Sequence, residues 1–150
     1  MRRGEILGQS WEHVDLNRQV LSVTRSKTPE GEGREIPLTG RLFQILLANR
    51  QDEGPIFVYR TQPIRSIKTA WASAIRQAGI RHFRFHDLRF HDLRHTFNTR
   101  LLEAGVMQEV RKALMGHSSG EKVHSAYTHV ELPVKREAIA RLEKWVATQQ

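Results

Sequence analysis

The chain has no cysteine in its 150 residues, which removes any disulfide framework and any thiolate metal site and fits a reducing compartment. Nor does it have an apolar run near the ~18–20 residues that a membrane-spanning helix requires. The start, Met1-Arg2-Arg3-Gly4 leading into the short pair Ile6-Leu7, does not read as a signal peptide. No linker and no low-complexity tract interrupts the chain. Its one internal repetition is the five-residue Arg-Phe-His-Asp-Leu, present at 84–88 and again at 89–93. Acid is also scarce: 16 Asp and Glu against 24 Lys and Arg leave a net charge of +8 and a pI near 10.6. What remains is one domain, long enough to bury a core, whose 39% apolar content argues against disorder.

The basic excess is concentrated. Between Arg60 and Arg100 stand nine Lys or Arg residues and only two acids, Asp87 and Asp92. Such a stretch favours a polyanion through counterion release, although a solvated cationic surface would have the same composition. Charge alone does not separate the two, so the motifs have to.

Periodicity predicts mostly helix with one small sheet. Ile6 and Leu7 read as the tail of a helix. Trp11–Val14, Val20–Thr24 and Arg34–Pro37 read as three short antiparallel strands, with breakers supplied by the turn from Thr28 to Gly33. Thr39 is placed to cap a helix with Leu42, Ile45 and Leu46 on one face. Ile67, Trp71, Ala74 and Ala78 repeat at helical spacing before Gly79. Leu93, Phe97, Leu101 and Ala104 form a further apolar stripe closed by Gly105, and Val110 and Leu114 mark another helix. Pro133 opens a terminal helix carrying Ile139, Leu142, Trp145 and Val146. The fold class is α+β, mainly α, with a small three-stranded antiparallel sheet near the N-terminus.

The chemistry concentrates after residue 84. The segment reads Arg-Phe-His-Asp-Leu twice and runs on into Arg94-His95-Thr96-Phe97. His91 and Arg94 are three apart, so they share a helix face and can address one phosphate. Arg94 follows Leu93 and flanks a stripe that should be buried, so it requires either an anionic ligand or a carboxylate partner. A planar guanidinium suits phosphate because it donates two parallel hydrogen bonds and keeps its charge. His91 and His95 are also four apart, as in a helical zinc site, but Asp92 is short for a general base and Arg94 would set a cation beside the metal. Gly116 reads as the residue that turns the chain after a helix, throwing His117 outward ahead of Ser118 and Ser119. Tyr127 is either a packed aromatic with a satisfied hydroxyl or a nucleophile; in the second role it needs cations and a base nearby. His82, His86, His124 and His129 are most simply solvated or capping. The second copy alone runs unbroken into Arg94, and five residues turn a helix by roughly 140°, so Arg89 cannot stand in for Arg94 within one continuous helix. The first copy is expected as a bulged loop or an extra turn.

Taken in order, these motifs resemble the tyrosine recombinases or phage integrases over essentially the whole chain. Arg2 followed by Glu5 looks like the family's first motif, and Trp11-Glu12-His13-Val14-Asp15-Leu16 is similar to the strand entry after it. Ser26-Lys27-Thr28 lies in the hairpin where the family keeps its lysine, with Arg34-Glu35-Ile36-Pro37-Leu38 similar to the returning strand. His91–Phe97 resembles the second box; Leu114–Ser119 and Tyr127–Val130 resemble the last two. The resemblance implies that Arg2, Arg94 and His117 bind the scissile phosphate and that Tyr127 attacks it, leaving a 3′-phosphotyrosyl bond. It implies that Lys27 protonates the departing 5′-oxygen, that His91 assists proton transfer or positioning, and that Glu5 braces the site. It implies no metal and no cofactor, double-stranded DNA as partner, and a tetrameric synapse of several copies held through the C-terminal helix. A cytoplasmic, nucleoid-associated protein of bacterial or phage origin is then expected, without a membrane. The resemblance also marks 1–150 as the catalytic domain cut short at its N-terminus, with the family's separate DNA-clamping domain absent. Ten residues carry the chain from His117 to Tyr127, one more than in many members. A topoisomerase of similar chemistry, or a catalytically silent DNA-binding remnant, are the alternatives.

Overall fold

The computed structural model describes residues 1–79, 90–117 and 130–149, with the side chains of residues 90 and 91 outside that description. The first Arg-Phe-His-Asp-Leu copy, Arg89, Ser118, Ser119, Tyr127, and His82, His86, His124 and His129 lie outside it as well. A short helix α1 (Arg3–Leu7) and a 3-10 turn (Trp11–His13) lead into strands β1 (Val14–Asp15), β2 (Val20–Val23) and β3 (Arg34–Pro37), with a second 3-10 turn (Pro29–Gly31) between the last two. Then follow α2 (Gly40–Ala48), β4 (Val58–Tyr59), β5 (Gln62–Pro63), α3 (Lys68–Gln77), α4 (Phe90–Glu103), α5 (Gln108–Met115) and α6 (Leu132–Ala147).

The three-stranded sheet runs β1-β2-β3, antiparallel throughout, with Leu21 opposite both Val14 and Ile36 and with Val23 opposite Arg34. Directly opposed residues share a face, so Leu21, Val23 and Ile36 turn together onto Trp11, Leu38 and Leu46 in one apolar cluster. β4 and β5 make a separate hairpin whose two turn residues, Arg60 and Thr61, take φ of 48° and 66°, the left-handed pair that a two-residue hairpin demands.

A second cluster joins the helices. Leu101 of α4, Val110 and Leu114 of α5, and Ala138, Ile139 and Leu142 of α6 close around Val106. α6 packs on α4 and α5 and also on β3, so it bolts the helical half to the sheet.

Three sequence expectations change here. Trp11–His13 is a 3-10 turn rather than strand: the His13 Nδ1 accepts from the Ser10 N–H at 3.3 Å, which pulls the chain into a turn while the Trp11 ring enters the core. On α4 the buried stripe is Arg94, Phe97 and Leu101, with Leu93 48% exposed, so the arginine itself holds the inward position. On α2, Leu46 is buried and Phe43 half-buried, whereas Leu42 and Ile45 face solvent. Among the described residues no helix is long and apolar enough to cross a membrane.

Candidate functional site

The site grows from one carboxylate. Glu5 is the third residue of α1, where a Glu side chain reaches back to the N–H that opens the helix. Its Oε2 accepts from the Arg2 backbone N–H at 2.7 Å and from Arg34 Nη2 at 2.7 Å. Its Oε1 accepts from Arg2 Nη1 at 3.0 Å and from the Ser26 hydroxyl at 2.7 Å. An Arg three residues before a Glu thereby becomes a fixed guanidinium: Glu5 holds its backbone and its side chain at once. Burial by itself would raise the Glu5 pKa, but the bonds from Arg34, from Arg2 and from Ser26 outweigh it and hold the carboxyl at about 2.

Arg2 extends from this anchor. Its Nη1 also donates to the Ser26 Oγ at 3.0 Å, and its Nη2 reaches the Gly116 carbonyl at 3.4 Å. Arg94 arrives from α4 and donates through Nη2 to the carbonyl of Met115, the residue just before. Two arginines separated by 92 positions in sequence therefore meet at consecutive peptides, at the end of the helix that delivers His117.

That helix end is built for the purpose. Gly116 takes φ of 62°, and the His117 N–H bonds back to the Lys112 carbonyl at 3.1 Å, so the chain turns and His117 stands exposed. A Cβ at Gly116 would lie 2.8 Å from both Arg34 Nη1 and the Gly31 Cα, so only glycine fits. The β2–β3 loop presses against this turn, and Thr28 donates to the Gly116 carbonyl at 3.3 Å. The same loop carries Lys27, which is exposed.

Sequence reasoning assigned Arg34 only to a strand, yet it is part of this cluster. Its position opposite Val23 points it to the apolar face of the sheet, where a cation needs a partner. Glu5 is that partner, and the Gly31 carbonyl accepts from Nη1. The clue available in sequence was an arginine two residues before Ile36 on the core face of an alternating strand.

Charge is unbalanced in the cluster. Two guanidiniums, those of Arg2 and Arg34, bond the one carboxylate, Arg94 adds a third positive charge nearby, and its buried side chain leaves Nη1 without a partner among the described residues. Burial, then repulsion from Arg2 and from Arg34 against the pull of Glu5, presses the Arg94 pKa down. A buried donor with excess positive charge around it is the arrangement that an oxyanion would complete. The groove of about 550 Å³ on α4, lined by Asp92, His95, Thr96 and Thr99 among others, lies on the opposite side of that helix and shares nothing with this cluster. Among the described residues no group of three His, Asp or Glu converges to hold a metal.

The class is thus a helical domain packed on a small antiparallel sheet, with an arginine cluster at the end of one helix. A model of the phage integrase family matches residues 1–132, and the chain belongs to that family. It is 31% identical to the shufflon-specific DNA recombinase of Escherichia coli over 97% of its own length and 37% of that protein. It is 29% identical to the integrase of Salmonella phage P22, covering 87% of this chain and 36% of the other. The solved integrase from mycobacterium phage Brujita superimposes with a TM-score of 0.68 at 27% identity, over 95% of this chain and 47% of that one. The chain thus spans between about a third and half of these relatives.

Proposed function

We propose that this chain is the catalytic domain of a site-specific recombinase, an enzyme that cleaves and rejoins double-stranded DNA through a 3′-phosphotyrosyl intermediate. The observation that carries the reading is the buried Arg94, with one Nη unpartnered among the described residues, beside Arg2 at the turn that presents His117. In this reading Arg2, Arg94 and His117 hold the non-bridging oxygens of the scissile phosphate and stabilise the charge that builds there. Tyr127 passes its phenolic proton to a neighbouring histidine as its oxygen attacks phosphorus, the bond to the 5′-oxygen breaks, and Lys27 delivers the proton that the leaving oxygen takes. His91, three residues before Arg94, assists the proton transfer or the positioning, and Glu5 keeps Arg2 aimed. The new bond retains the energy of the old one, so the 5′-hydroxyl of another strand reverses the step without a nucleotide.

Several copies act together on DNA in this reading, on bacterial or phage DNA in the cytoplasm, with the end of α6 as the contact. Its Leu142 is already buried within the chain, whereas Trp145 and Val146 are only half-buried, which supports the last turns of the helix as the shared part.

The test is a covalent trap. The protein is incubated with nicked duplexes spanning the DNA that flanks its gene, and the adduct is resolved by denaturing electrophoresis. The wild-type chain forms a protein–DNA adduct that maps to Tyr127 and disappears in Tyr127→Phe. An adduct that survives the change, or one that maps to Tyr59, removes the assignment.

A further inference from the structure

We propose that Arg34 is a positioning residue of this site, one that sets both the aim of Arg2 and the place of the loop that carries Lys27. The inference rests on the strand-transfer reading above and adds a residue to it. The Arg34 side chain is 4% exposed, and its guanidinium bridges the Glu5–Arg2 pair and the β2–β3 loop. On one side Nη2 holds Glu5 Oε2 at 2.7 Å, and the other oxygen of the same carboxylate holds Arg2 Nη1. On the other side Nη1 donates to the carbonyl of Gly31, the last residue of the 3-10 turn in the β2–β3 loop.

The loop is fitted tightly around that bond. A Cβ at Gly31 would meet the Ser26 Oγ at 2.2 Å and Arg34 Nη1 at 3.0 Å, so Ser26 is seated directly on the peptide that Arg34 grips. Ser26 precedes Lys27, and it also bonds both Glu5 and Arg2. Gly116 closes the third side, since its Cα leaves room for no atom between itself and the Arg34 guanidinium. Arg34 therefore fixes the separation between the Glu5–Arg2 pair, the Lys27 loop and the His117 turn. None of these contacts requires it to touch substrate. Arginine suits this place because two divergent nitrogens on one rigid plane bridge a carboxylate and a carbonyl; a lysine ammonium presents its three donors from a single point and lacks that fixed spread. Misplacement by about 1 Å costs a reaction on the order of 10²-fold when catalysis depends on orientation.

The experiment compares Arg34→Met, Arg34→Lys and wild type in the full chain. Three quantities are measured: the single-turnover rate of adduct formation, the affinity for the same duplex, and hydrogen exchange across residues 26–31 and 116–117. Arg34→Met is expected to slow adduct formation about 10²-fold, with affinity changed by less than about 3-fold. Arg34→Lys keeps the charge and recovers about 10-fold of the lost rate, and exchange across the loop and the turn rises in both variants. A Met variant that reacts within about 3-fold of wild type, or exchange that stays unchanged, overturns the proposal. Should Arg34→Met fail to fold, Arg34→Lys carries the test, because it must still slow the reaction while binding DNA normally. If the wild-type chain forms no adduct, the strand-transfer reading falls, and the exchange arm alone then decides whether Arg34 positions the loop.

Discussion

Glu5 accepts four hydrogen bonds from three residues, and this saturation ties the protein's acid stability to one carboxyl. Its pKa in the fold is about 2, against 4.5 for the free side chain. A depressed carboxylate contributes stability that is fully present above about 4.5 and is lost as pH falls toward 2. The melting temperature is therefore expected to drop over that window, and Glu5→Gln is expected to melt lower at neutral pH with a flatter acid limb; a wild-type profile with no fall between those values refutes the role. The two Arg-Phe-His-Asp-Leu copies are also separable by single residues. Arg94 is buried beside the Met115 carbonyl, so Arg94→Ala should lower adduct formation by about 10²–10³, the usual cost of losing one preorganised donor. Arg89→Ala should change it little, and a ranking in the opposite order assigns the site to the first copy.

At the scale of elements, α4 shows how a helix with a weak apolar stripe places a cation inward. Sequence spacing favours Leu93, Phe97, Leu101 and Ala104, yet Arg94, three residues before Phe97 and seven before Leu101, occupies the buried line. A leucine is tolerated in water at modest cost, whereas a guanidinium that donates to the Met115 carbonyl at the α5 terminus must face inward. Thermal denaturation can check this assignment directly. Leu101→Ala, at a side chain with no exposure, should cost about 2–5 kcal/mol. Leu93→Ala should stay within about 0.5 kcal/mol, as surface changes do. Equal losses at the two positions would return Leu93 to the core.

For the whole molecule, the sheet and the helical half are separate apolar clusters joined by α6 and by the polar site itself. Arg2 and Glu5 come from the start of α1, Ser26 from the β2–β3 loop, Arg34 from β3, and Arg94 with Gly116 from α4 and the end of α5, so the site exists only when both halves are docked. In the recombinase reading proposed above, the basic stretch from Arg60 to Arg100 adds a sequence-independent attraction to DNA. The isolated chain is accordingly expected to bind duplex DNA weakly, with little sequence preference and with an affinity that falls linearly on a log–log plot against salt. Fluorescence anisotropy at several salt concentrations reads both quantities, and tight site-selective binding that persists at raised salt contradicts the expectation.

The family was legible from residue order alone, because seven short motifs in fixed order are local strings of residues whose recognition needs no packing. Residue order also determined the helix-rich class, the three-stranded sheet and the Gly116 turn, since periodicity and a left-handed glycine are properties of a few neighbouring residues. It could not decide which side of α4 faces inward, because Leu93 and Arg94 differ by one position and burial depends on what docks against them. Arg34 was hidden for the same reason. A charged residue in a strand reads as solvent-facing until a carboxylate 29 positions earlier is brought to it. Contacts over such distances are set by the docking of α1, the sheet and α5, which no local string of residues encodes.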